Sequence, residues 1–150
     1  MAAKGSARYR TQRAVQHLGR VTINKAAIAL LTRGLPAPPY SPKRAIVLEH
    51  VGRKSGIRRR TPVGCLRVGP STLLVVAEHG RGADWVRNAL AAGSVSVWVE
   101  GRRYRGRVEP DPEEDPQEVL RRMRNPVHRG MIRAMAHEAE VMRVELLEPE

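Results

Sequence analysis

The 150-residue sequence contains no phenylalanine, and aromatic residues make up only 3% of it. Its core must therefore be built from Val, Leu, Ile, Ala and Met, and aromatic platforms for stacking nucleic-acid bases are scarce. There is one cysteine, Cys65, so an intrachain disulfide is excluded and a reducing compartment fits. No apolar run is long enough to span a bilayer, and Met1–Ser6 lacks an apolar signal core, so a cytoplasmic protein is expected. Acidic residues are outnumbered, 15 Asp and Glu against 27 Lys and Arg, for a formal charge of +12. Such an excess, mostly arginine, suits an anionic partner: nucleic acid, lipid headgroups, or an anionic cofactor or substrate. The five histidines (His17, His50, His79, His128, His137) show no metal-ligand spacing, and no metal is expected.

What is present fits a single α+β domain. From Arg8 to about Thr32 apolar residues recur at Val15, Leu18, Val21, Ile28 and Leu31, the spacing of a helix with one apolar stripe. Its Arg8, Arg10, Arg13, Arg20 and Lys25 would also suit a peripheral membrane contact, although packing on the domain is the commoner fate. Residues 34–42 carry four prolines and read as a linker. Residues 1–42 thus form a tail, a helix and a Pro-rich linker ahead of a β-rich unit, 43–150. Strands are expected at Arg44–Val51, Arg60–Val68, Thr72–Ala77, Ser94–Glu100, Arg103–Val108 and Val141–Leu147. Thr72–Ala77 is nearly all apolar, as in a strand buried on both faces. Glu100-Gly101-Arg102 marks a hairpin. Short helices are expected at Ala83–Ala92, ending at Gly93, after Asp115-Pro116-Gln117-Glu118, and again after Asn125-Pro126, where Val127, Met131 and Met135 share a face. About six mostly antiparallel strands of this length commonly curl into a small barrel.

Five cationic residues fall within eight positions in His50–Pro62, framed by Gly52 and Gly56 between two strands. Glycines there would let backbone N–H groups form a concave anion nest, with Ser55 as a hydroxyl donor and Lys and Arg as charge-assisted donors. A P-loop is excluded, and Gly80-Arg81-Gly82 lacks the third glycine of a dinucleotide fingerprint, where Trp85 stands. Cys65 lies mid-strand in an alternating pattern and reads as a buried structural thiol. The acidic run Asp111–Asp115 reads as a loop and helix cap.

Gly52-Arg53-Lys54-Ser55-Gly56, then Arg59, then Pro62-Val63, resembles the signature of the deazaflavin-dependent nitroreductase family, actinobacterial oxidoreductases that use coenzyme F420. The apolar strand Leu73–Ala77, the loop Gly80–Asp84, and Trp85 with Asn88 extend the resemblance, which covers roughly Arg44 to Arg107. It implies a split β-barrel and a polyanionic deazaflavin, with flavin mononucleotide as the alternative coenzyme, since related split barrels use either. By the resemblance, Arg53, Lys54, Ser55, Gly56 and Arg59 hold the phosphate and tail, and Thr61, Pro62 and Val63 line the groove. Ala77, Glu78 and His79 border the ring, with Trp85 and Asn88 nearby, and His79 is the one candidate for donating to ring or acceptor. The implied activity is hydride transfer to an electron-poor small molecule: a quinone, a nitro compound or an enone. Two features depart from the family. Gly64 stands where many members carry an aromatic residue, and Asn125–Val141 has no tyrosine. The alternatives to this enzyme reading are a basic nucleic-acid-binding protein and a coenzyme-binding protein without turnover.

Overall fold

The computed structural model describes residues 25–38, 40–123 and 138–150. Helix α1 (25–31) is followed by β1 (Ala45–Val51), β2 (Arg58–Gly64), β3 (Leu66–Arg67) and β4 (Thr72–Ala77). A 3₁₀ turn (Gly80–Gly82) leads into α2 (Asp84–Ala92), then β5 (Val95–Val99), β6 (Arg102–Pro110), α3 (Pro116–Met123) and β7 (Glu140–Pro149). The strands form one seven-stranded sheet in the order β2-β1-β5-β6-β7-β4-β3, and every neighbouring pair is antiparallel.

The single strand expected at Arg60–Val68 is two. At Gly64 the chain leaves its partner β1, Cys65 donates its N–H to the Arg44 carbonyl at 2.8 Å, and β3 then pairs with β4. A glycine inside a strand commonly marks such a barrel corner. The two outermost strands of the sheet are therefore consecutive in sequence and one residue apart, so the sheet must curl until its ends meet. The result is a split barrel, with three α-helices among the described residues.

Alternation places side chains as the sequence pattern implies. Ile46 and Leu48 of β1, Val95, Val97 and Val99 of β5, and Leu73, Val75 and Ala77 of β4 fill the barrel with Met142, Val144 and the inner face of α2. The opposite face of β4, Leu74 with Val76, packs with Val119, Leu120 and Met123 of α3, so β4 is buried on both sides. A third cluster joins Ala27 and Leu31 of α1 to Ala45, Val47 and the half-buried Trp98. The described part of the N-terminal helix therefore lies on the barrel, while the expected helical stretch 8–24 and the one after Asn125-Pro126 lie outside the described residues. At the β5–β6 hairpin Glu100 and Gly101 both have positive φ, 48° and 82°, the pair of a type I′ turn. A Cβ on Gly101 would stand 3.1 Å from the Gly34 nitrogen, so the end of α1 and this turn meet backbone to backbone. Among the described residues, no helix is long and apolar enough to cross a membrane.

Candidate functional site

The β1–β2 turn projects over the N-terminal half of α2. Its backbone closes on itself: Gly52 N–H donates to the Ile57 carbonyl and Gly56 N–H to the Gly52 carbonyl, each at 2.8 Å, while Ile57 N–H donates to Ser55 Oγ at 3.2 Å. Gly56 carries a φ of 68°, which a side chain would strain. The open nest of N–H donors expected from the two glycines is thus largely consumed in shaping the turn, and anion recognition here falls to side chains.

Asn88 of α2 anchors the turn. Its side chain is buried, and its Oδ1 accepts from Arg53 N (3.1 Å) and Arg53 Nη1 (2.9 Å). Both donors on Oδ1 leave the amide Nδ2 facing His50 Nδ1, 3.1 Å away. That bond requires an unprotonated Nδ1, so the proton of neutral His50 sits on Nε2 and is donated to Thr61 Oγ1 at 3.0 Å. The result is one hydrogen-bonded row, Arg53–Asn88–His50–Thr61, joining the turn, α2, β1 and β2. Burial, chiefly, and the nearby Arg59 guanidinium hold His50 below the ordinary histidine range, against an opposing pull from Asp84. His50 is therefore a neutral structural hinge at physiological pH.

The five clustered cations divide by face. Arg53 turns inward to Asn88 and reaches Asp84 at 3.4 Å. Arg58 and Arg60, on the outward face of β2, pair with the buried Glu49 at 3.4 and 3.1 Å, and Arg103 from β6 joins them at 3.1 Å. Lys54 and Arg59 make no ion pair with any described residue. Arg59 pairs in register with His50, and by the period of two it shares a face of β2 with Thr61 and Val63. Pro62 is buried opposite Val47. Lys54 and Ser55 on the turn and Arg59 at the start of β2 are exposed donors, a set whose chemistry fits phosphate or carboxylate oxygens.

Val63 packs on the barrel core, to which Ala77, the last residue of β4, also belongs. Beyond it Glu78 is exposed, and His79, 70% exposed, lies 3.3 Å from Glu138. Trp85 packs partly on the core from the first turn of α2. Tyr40 stands within electrostatic reach of Glu78; burial first, and that carboxylate second, push its phenol above the usual value and keep it protonated. Cys65 is buried at the sheet bend, and desolvation drives its thiol up to about 12, which removes it as a nucleophile. Among the described residues no group of three His, Cys, Asp or Glu side chains gathers in a metal-binding arrangement.

Sequence reasoning overlooked His50, Asp84 and Glu49. The signal for His50 was present: it follows Ile46 and Leu48 at a spacing of two, which points it into the barrel.

The family model for F420H(2)-dependent quinone reductases matches residues 34–144. No curated protein matches the chain. Among solved structures, an Agrobacterium tumefaciens protein of unknown function superposes with a TM-score of 0.56 at 16% identity, over 83% of this chain and 55% of that one. This chain thus spans little more than half the length of that relative. An F420-H2 dependent reductase, FDR-A, superposes with a TM-score of 0.51 at 20% identity, over 69% of this chain and 95% of that one. At these identities the structural likenesses speak to the fold.

Proposed function

The chain belongs to the F420H(2)-dependent quinone reductase family of oxidoreductases, and we propose that it holds a reduced deazaflavin on the β1–β2 turn and serves an electron-poor small molecule as hydride acceptor, whether quinone, nitro compound or enone. When bound, the coenzyme supplies the hydride. The chain's own work is to bind, orient and exclude water. In this reading Lys54, Ser55 and Arg59 hold the phosphate and the acidic tail. Arg53, Gly56 and Asn88 keep the turn rigid so that those donors are preorganised. Thr61, Pro62 and Val63 flank the groove that leads to Ala77, Glu78 and His79 beside the ring, and Trp85 backs the loop. The observation that carries the reading is the division of cations: three are engaged within the protein, while Lys54 on the pinned turn and Arg59 on β2 beside it have no ion pair among the described residues. The single buried thiol agrees with a reducing, cytoplasmic setting.

Fluorescence titration with F420 tests the proposal, with flavin mononucleotide run in parallel. Lys54→Ala and Arg59→Ala should each weaken F420 binding about fivefold, the size of one partly exposed charge-assisted contact. Unchanged affinity in both variants would refute the assigned cradle. Binding without reduction of any quinone, nitro or enone acceptor would favour a coenzyme-binding protein without turnover.

A further inference from the structure

A second basic hollow lies at the opposite end of the β1–β2 ladder. A cavity of about 460 Å³ is lined by Lys43, Arg44, Cys65, Leu66, Arg67, Arg122 and Met123. The Ala45↔Gly64 pair beside it and the Val51↔Arg58 pair beside the turn are the two ends of β1–β2 pairing, about 20 Å apart at the rise of an antiparallel strand. The hollow is therefore separate from the cradle described above.

Its lining is divided. Cys65 and Met123 are buried, 3% and 4% exposed, and with Leu66 they make an apolar floor. The neutral thiol adds no charge to it. Among the described residues, the four remaining lining residues are all cationic. Arg44 reaches the Met123 carbonyl at 3.4 Å, and Arg67 donates to the Pro70 carbonyl at 2.6 Å. Glu100 lies 3.9 Å from Arg67. Lys43 and Arg122 form no ion pair with any described residue. Like charges gathered round one concavity raise the local potential and attract a counter-charge. A cavity of this volume falls in the range that small organic ligands occupy.

We propose that this cavity binds a compact organic acid, with the apolar body on Cys65, Leu66 and Met123 and a carboxylate, phosphate or sulfonate head between Lys43 and Arg122. The site does not depend on the coenzyme reading.

The test uses the full chain and 8-anilinonaphthalene-1-sulfonate as the fluorescent probe, with N-phenyl-1-naphthylamine as an uncharged counterpart. One saturable site is expected for the sulfonate, with the amine weaker by about tenfold and with affinity falling as salt is raised. The double variant Lys43→Met/Arg122→Met should bind the sulfonate about tenfold more weakly, and Arg122→Gln alone about threefold, as the loss of exposed charge contacts implies. Lys54→Ala/Arg59→Ala should leave the sulfonate affinity unchanged; if that variant loses the probe instead, the probe sits in the cradle and the proposal fails. Competition separates the parts of the ligand: 1-naphthoate and 1-naphthyl phosphate should displace the probe, and inorganic phosphate should do so far less well. Equal displacement by inorganic phosphate, equal affinity for the uncharged amine, or unaltered affinity in the Lys43 and Arg122 variants would each overturn the assignment.

Discussion

Replacing Asn88 by alanine removes three hydrogen bonds at once, two from Arg53 and one to His50. The Arg53 guanidinium keeps its Asp84 contact, so the main losses are the Arg53 N–H and the His50 Nδ1 lone pair. His50 is 4% exposed, and water reaches that nitrogen poorly. An unsatisfied buried acceptor costs about 1–3 kcal/mol and a lost partly buried bond about 1, for a total of about 2–4 kcal/mol. In a domain of this size that is a fall in Tm of roughly 5–15 °C. Urea unfolding followed by tryptophan fluorescence measures it conveniently, because Trp85 lies on the same helix as Asn88. Asn88→Asp sharpens the test. The carboxylate still accepts from Arg53 but has no N–H for His50, and a carboxylate beside imidazole favours the imidazolium. The His50 titration, read by NMR, should move upward in Asn88→Asp, while the Arg53 contact and most of the stability survive. If Asn88→Ala unfolds at the wild-type midpoint, or the His50 titration in Asn88→Asp stays where it was, the hydrogen-bonded row is not what holds the turn.

The depressed His50 value gives a pH dependence with a definite sign. The unfolded chain takes up a proton near pH 6.5 that the folded chain refuses until lower pH, so this contribution is intact above about pH 6.5 and is lost as pH falls through the folded value. The urea midpoint should drop between pH 7 and pH 5, and His50→Gln should flatten that slope. Cys65 should resist aromatic disulfide reagents in the native protein at pH 8 and react in step with unfolding, because its thiol stands at about 12 and is buried. Gly101→Ala should cost about 1–3 kcal/mol through its positive φ and the approach to Gly34, measured as a shifted denaturation midpoint with unchanged slope.

Much of the barrel can be read from local pattern. Val95, Val97 and Val99 alternate and are buried, and the nearly continuous apolar run Thr72–Ala77 does sit between two layers, the barrel interior and α3. The break at Cys65 is invisible in that pattern because Val63 and Cys65 keep the same inward phase across it. Only the exchange of partners from β1 to β4 defines it, and partner choice is not a local property. The site divides in the same way. The Gly-Arg-Lys-Ser-Gly segment announces itself by composition, but which cations stay unengaged depends on Glu49 of β1 and on Asp84 and Asn88 of α2, residues outside the segment. The donor capacity of the turn was likewise misjudged from its glycines, since closing the loop uses the very N–H groups that a nest would offer.

The joining of the sheet's two margins at Gly64-Cys65-Leu66 bears on how much strand edge the barrel offers to other chains. An open sheet presents two raw flanks to other chains, whereas here the flanks converge on one short peptide and the β3 flank is only two residues long. The free flank of β2 carries Arg58, Arg59 and Arg60 and then Pro62, which has no N–H to offer a docking strand. A break in the chain at Cys65 would free both margins together, and the cut protein should self-associate more than the intact one, as light scattering of the two would show.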